Sequence, residues 1–120
     1  MTAVPYDIEI EQGATYDVAF EWRTDNGSMP PTGPLIDTSG YAARMQIKDR
    51  SGGTVLAAFT EGAGLTNAGG IITLRIGADA TAALPRGGYY DLELHAIADA
   101  TEVVRLVQGK VSLSYEVTTA

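Results

Sequence analysis

Residues 6–22 read Tyr6-Asp7-Ile8-Glu9-Ile10-Glu11-Gln12-Gly13-Ala14-Thr15-Tyr16-Asp17-Val18-Ala19-Phe20-Glu21-Trp22. Tyr6, Ile8 and Ile10 alternate with Asp7, Glu9 and Glu11. After Gln12-Gly13-Ala14, Tyr16, Val18, Phe20 and Trp22 alternate with Thr15, Asp17, Ala19 and Glu21. Successive side chains of a strand point to opposite faces, so this pattern predicts two strands, each with one face on a core and one in water.

The same period recurs along the chain. Tyr41, Ala43, Met45 and Ile47 alternate with Ala42, Arg44, Gln46 and Lys48. Asp49-Arg50-Ser51-Gly52-Gly53 predicts a hairpin connection, with Val55 to Phe59 as the return strand. Glu61 to Gly70 reads as a glycine- and alanine-rich loop anchored by Leu65. Ile72, Leu74 and Ile76 predict a further strand, as do Tyr90, Leu92 and Leu94, the latter with Asp91, Glu93 and His95 outward. Ala78 to Leu84 is the helix-like stretch, about two turns long and stopped by Pro85.

Within Glu102 to Val117 the inward parity changes, because Val104 and Leu106 are out of phase with Val111, Leu113 and Tyr115. One extra residue, a β-bulge near Gly109, restores a single buried face. The whole predicts an all-β fold, an immunoglobulin-like antiparallel β-sandwich of about seven strands with one short helix. Residues 1–120 form a single domain, with a long proline-rich loop at 23–39.

Composition narrows the function. The chain has no cysteine and one histidine, which removes thiolate nucleophiles, disulfides and zinc sites needing two imidazoles. Eight basic residues against fifteen acidic ones give a formal charge of −7, and no lysine or arginine cluster is visible along the sequence. Nucleic acid is therefore not an expected partner. No apolar run approaches the roughly 20 residues of a membrane span, so a membrane is not expected either. Met1 to Pro5 lacks the features of a signal peptide, which places folding in a cytoplasm. No cofactor or metal is expected, and no enzymatic activity.

Two features exceed a plain sandwich. The 23–39 connection holds Pro30, Pro31 and Pro34 with Met29, Leu35 and Ile36, and a loop of this length is usually functional or disordered. Secondly, a simple hairpin around Gly13 would set Glu9 opposite Asp17 and Glu11 opposite Thr15, and facing like charges destabilise a strand pair. Three solutions are open: the strands occupy different sheets, a cation binds, or a basic partner covers the face.

Other motifs have structural readings. Asp37-Thr38-Ser39-Gly40 is like an aspartic-protease turn with one residue too many, and reads as an Asx-type turn into the next strand. Asp25-Asn26-Gly27-Ser28 lacks the regular carboxylates of a calcium loop. Tyr6, Tyr16, Phe20, Trp22, Tyr41 and Tyr90 fall on inward parity, leaving Tyr89 and Tyr115 as candidates for exposed aromatics.

The order of segments brings a family into view. It opens with Tyr6 to Thr15 and continues with Gly40-Tyr41-Ala42-Ala43-Arg44-Met45-Gln46-Ile47. Ala82-Ala83-Leu84-Pro85 and Gly88-Tyr89-Tyr90-Asp91-Leu92-Glu93-Leu94 follow, and Arg105-Leu106-Val107-Gln108-Gly109-Lys110-Val111 closes it. From Tyr6 to Val117 the chain resembles small immunoglobulin-like proteins of tailed phages and prophages, and is similar to the N-terminal domain of phage baseplate upper proteins. It departs from them at Met29 to Thr38, where Pro30-Pro31-Thr32-Gly33-Pro34 lengthens the route.

The resemblance implies a non-catalytic virion structural protein in the tail or baseplate or at the head–tail junction, assembled in the host cytoplasm and multimeric within the particle. Alternatives are a capsid decoration protein and, from another class, a carbohydrate-binding module for host surface glycans. The expected partners are other virion proteins with a basic surface. The expected contact residues are Met29, Pro30, Pro31, Leu35 and Ile36 on the loop, with Asp7, Glu9 and Glu11 on the first strand.

Overall fold

A computed structural model describes residues 4–24, 27, 32–50, 52–99 and 101–117. Its strands are β1 (Val4–Pro5), β2 (Ile8–Glu11), β3 (Tyr16–Glu21), β4 (Tyr41–Lys48), β5 (Val55–Glu61), β6 (Gly64–Ala68), β7 (Ile71–Ile76), β8 (Gly88–Ala96) and β9 (Val103–Ser114), with α1 (Ala78–Ala82) between β7 and β8. Hydrogen bonding runs in the order β1-β9-β8-β4-β5-β6-β7-β3, and β2 continues β1 along β9. β1 and β2 therefore act as one broken strand, and β5 passes into β6 through Gly62-Ala63. With β1 and β2 counted as one, the nine segments make eight strands, β6 being the one that the alternation does not predict.

At that β5–β6 corner Gly62 (φ 81°) and Gly64 (φ 102°) take left-handed conformations that residues with a Cβ rarely adopt. The sheet folds over there, and its two halves face each other across one core. Met45, Ile47, Leu92 and Leu94 of β4 and β8 share a single buried cluster with Phe20, Ile72 and Leu74 of β3 and β7. Burying these apolar faces is the main driving force for closing the sandwich.

β2 and β3 are consecutive in the chain but lie at opposite ends of the hydrogen-bonded path. Glu9 faces Ser112 and Glu11 faces Ser114 across a parallel β2–β9 pair, while Asp17 faces Arg75 across β3–β7. The like-charge conflict of a β2–β3 hairpin is thus removed by separating the strands. Asp17 gains Arg75 Nη1 at 3.3 Å instead. The crossing turn is held by α1. Thr81, fully buried, accepts the Gly13 N–H at 3.1 Å, and its hydroxyl lies 2.8 Å from the Ala14 carbonyl oxygen.

Several expectations are corrected. Gly64 to Ala68, read as loop, is strand β6, paired in register with β7 and burying Leu65. Tertiary pairing overrides the weak strand propensity of Gly, Asn and Ala. The β9 bulge lies at Leu106-Val107 and not at Gly109: Leu92 pairs with Val107 and Glu93 with Arg105, so two consecutive side chains turn inward. The helix is shorter than two turns. Tyr6 is 45% exposed, because β2 begins two residues after it and its ring meets Phe20 only edge-on, at 5.5 Å.

The proline-rich connection is partly docked. Thr24 N–H donates to Pro34 O at 2.9 Å, Ile36 N–H to Trp22 O at 2.8 Å, and Arg23 Nη1 to Gly33 O at 3.0 Å. These bonds lay residues 33–36 alongside the chain leaving β3. Met29, Pro30 and Pro31 lie outside the described residues.

Candidate functional site

The outward positions of β4, β8 and β9 bring together a set of polar side chains from three adjacent strands. On β8, Tyr90, Leu92 and Leu94 turn inward, so Tyr89, Asp91 and Glu93 face out. On β4, Ala43, Met45 and Ile47 are buried and Arg44, Gln46 and Lys48 face out. On β9 the bulge decides the outcome. Strict alternation would put Arg105 on the opposite face from Gln108 and Lys110, whereas the extra residue brings all three to the outer face.

Register then orders these side chains into three rows crossing the strands. Arg44, Glu93 and Arg105 form the first row, Gln46, Asp91 and Gln108 the second, and Lys48, Tyr89 and Lys110 the third. All of these except Arg44, together with Pro5, Asp7 and Arg50, line an open groove of about 890 Å³. A site of this size lies within the usual range for small ligands.

The rows differ in how their charge is satisfied. Arg44 Nε lies 3.2 Å from Glu93 Oε1, and Arg105 Nε 3.4 Å from Asp91 Oδ2. Arg105 Nη1 also donates to Gln108 Oε1 at 3.3 Å. Burial, and after it the charge of Glu93, holds the Asp91 carboxyl above its ordinary range, and Arg105, Lys48 and Arg44 offset this only in part. Lys48, Arg50 and Lys110 form no ion pair among the described residues, and Tyr89 between the two lysines is 48% exposed.

This face corrects the impression of a chain without a local basic cluster. Four of the eight lysines and arginines, at positions 48, 50, 105 and 110, line the groove with three acids, Asp7, Asp91 and Glu93, and Arg44 flanks it on β4. The chain as a whole has fifteen acids to eight bases. The cluster escapes a linear reading because its members come from three strands.

Of the expected contact residues, Asp7 reaches this groove, where its Oδ1 accepts the Lys110 N–H at 3.0 Å. Glu9 and Glu11 are exposed on β2, in line with it. Leu35 and Ile36 are elsewhere, beside Gly70 on the β3–β7 half of the sheet. Leu35 is partly exposed, whereas Ile36 packs against the core cluster.

Asp37 is an Asx turn. Its Oδ1 accepts the Ser39 N–H at 3.0 Å, which holds the exposed carboxyl below its usual range. Buried Thr38 accepts the Gly70 N–H at 3.0 Å, tying this turn to the β6–β7 hairpin. Among the described residues no group of three His, Asp or Glu side chains could hold a metal ion, and no helix is long and apolar enough to cross a membrane.

A protein-family model described as LtfC-like, beta-sandwich domain matches residues 3–114. No curated protein matches the chain.

Proposed function

The chain belongs to the LtfC-like β-sandwich domain family, whose namesake is a phage-associated protein, and from that premise we propose a non-catalytic structural role in the virion. In this reading it acts as an interaction module in the tail or baseplate or at the head–tail junction. The observation that carries it is the family match, which spans residues 3–114 of the chain.

Surface chemistry supports an interaction role. The exposed Glu9 and Glu11 suit a basic neighbour, and the partly exposed Leu35 offers an apolar contact on the other half of the sheet. Charged rims of this kind steer association and set specificity more than they add affinity.

The test is quantitative mass spectrometry of purified phage particles. A tail or baseplate module is present at the low copy number set by tail symmetry, whereas a decoration protein is present at a multiple of the capsid subunits. Absence from purified particles overturns the structural role. Washing at rising salt measures the share of electrostatics, since contacts between exposed charges weaken as screening shortens.

A further inference from the structure

The groove over β4, β8 and β9 carries chemistry that the fold itself does not use. Its first row is internally paired through Arg44 and Glu93, and its second is tied to Arg105 through Asp91. The third leaves two ammonium groups unpaired among the described residues, in register on either side of an exposed tyrosine ring.

The groove also limits what can bind. β4, β8 and β9 are each hydrogen-bonded on both edges, so an incoming peptide cannot add as a strand. Any ligand is read by side chains. Its lining offers one exposed ring, Tyr89, beside Pro5 and amid lysine, arginine, glutamine and carboxylate groups, whereas protein interfaces centre on several buried apolar and aromatic anchors. A single flat ring, amides and a carboxylate beside it, and cations flanking it match a polyhydroxylated ring that carries negative charge.

We propose that this groove binds an anionic saccharide, with a sugar ring lying on Tyr89, its acidic group held between Lys48 and Lys110, and its hydroxyls met by Gln46, Asp91 and Gln108. The tyrosine face supplies contact with the C–H side of the sugar, and the lysines supply charge-assisted hydrogen bonds. Asp91 serves as an acceptor for a hydroxyl and keeps its place through Arg105. This assignment goes beyond the virion role and does not depend on it.

The experiment is an NMR titration of the full chain with three probes: trigalacturonate, glucose 6-phosphate, and neutral maltotriose. Amide shifts are expected on the groove strands with one or both anionic probes, and weaker ones with maltotriose. A response to trigalacturonate assigns a carboxylate-bearing glycan, and a response to glucose 6-phosphate alone assigns a phosphate-bearing one. Tyr89→Ala and the double variant Lys48→Gln/Lys110→Gln should each weaken binding at least about tenfold, equivalent to about 1.4 kcal/mol. Arg75→Gln, on the β3–β7 half of the sheet, should bind as the parent does.

No response to either anionic probe, or affinity unchanged by Tyr89→Ala, overturns the proposal. A response only to polyglutamate, run alongside, overturns it in favour of an acidic protein partner. Particle copy number is measured separately, so failure here is distinguishable from failure of the virion reading.

Discussion

The Tyr90 hydroxyl donates to the carbonyl oxygen of Tyr6 at 2.5 Å, joining residues 84 positions apart. Tyr90 is buried on the inner face of β8, and Tyr6 lies in the link between β1 and β2. Beneath that link Gly109 has no side chain, and a Cβ there would run into the Tyr6 carbonyl. The ring of Tyr6 then meets Phe20 of β3 edge-on. One short segment thus ties the two ends of the sheet together.

Tyr90→Phe removes this bond and leaves the Tyr6 carbonyl without its phenolic donor. A loss of about 1–2 kcal/mol is expected in urea unfolding at pH 7. Burial, followed by the nearby Tyr16, Tyr6 and Asp7, raises the Tyr90 hydroxyl well above its ordinary value. A raised folded value means that its contribution is intact below the unfolded value, about pH 10, and is lost as pH rises through the folded one. The parent should therefore lose stability above about pH 10 more steeply than Tyr90→Phe does. Parallel alkaline profiles would refute the assignment.

Gly109→Ala should act on the same joint from the other side. The added methyl displaces the Tyr6 backbone and costs about 1–3 kcal/mol, the range for overpacking. Combined with Tyr90→Phe, the loss should be less than the sum, because both disrupt one contact. Full additivity in a double-mutant cycle would separate the two residues.

Thr81→Val keeps the volume of a fully buried side chain and deletes its hydroxyl. Gly13 N–H and Ala14 O then lose their partner at the crossing turn, at a cost of about 1–3 kcal/mol. Faster hydrogen exchange at the Gly13 amide is the local signature, and unchanged protection there would sink the clamp.

Acid titration followed by carboxyl NMR should separate three aspartates. Asp91, raised by burial and by Glu93, takes up its proton before Asp37 and Asp99, whose carboxylates accept hydrogen bonds from Ser39 and Thr101. The two depressed groups contribute stability that is present above about pH 4 and lost as pH falls through their folded values. Asp91 has the opposite sign: acidification relieves its folded-state penalty. Asp37 titrating with or above Asp91 would contradict the geometry.

Much of the fold is legible locally. The inward residues of β2, β4, β7 and β8 follow from alternation alone, since the side-chain period of a strand is fixed by its backbone. The Asp37 turn and the Asp49–Gly53 hairpin follow from residues that bond to their own near neighbours: Asp49 Oδ1 accepts the Thr54 N–H at 2.9 Å. β6 does not, because Gly64-Leu65-Thr66-Asn67-Ala68 has little strand preference and is extended by its pairing with β7. Gln108 and Lys110 reach the outer face with Arg105 only because β9 accommodates an extra residue at Leu106-Val107. The parity change announces that residue without locating it.

Alternation and composition make this an all-β chain, set which side chains point inward along most strands, and leave its acids outnumbering its bases. Tertiary structure alone decided that β2 and β3 part to opposite ends of the sheet, so that Glu9 never faces Asp17. It also decided that cations from positions 44, 48, 105 and 110 stand in rows around Tyr89. The physical reason is range. Alternation is a property of neighbouring residues, whereas register between β4, β8 and β9 is set by burying their inner faces in a common core, across long stretches of intervening chain.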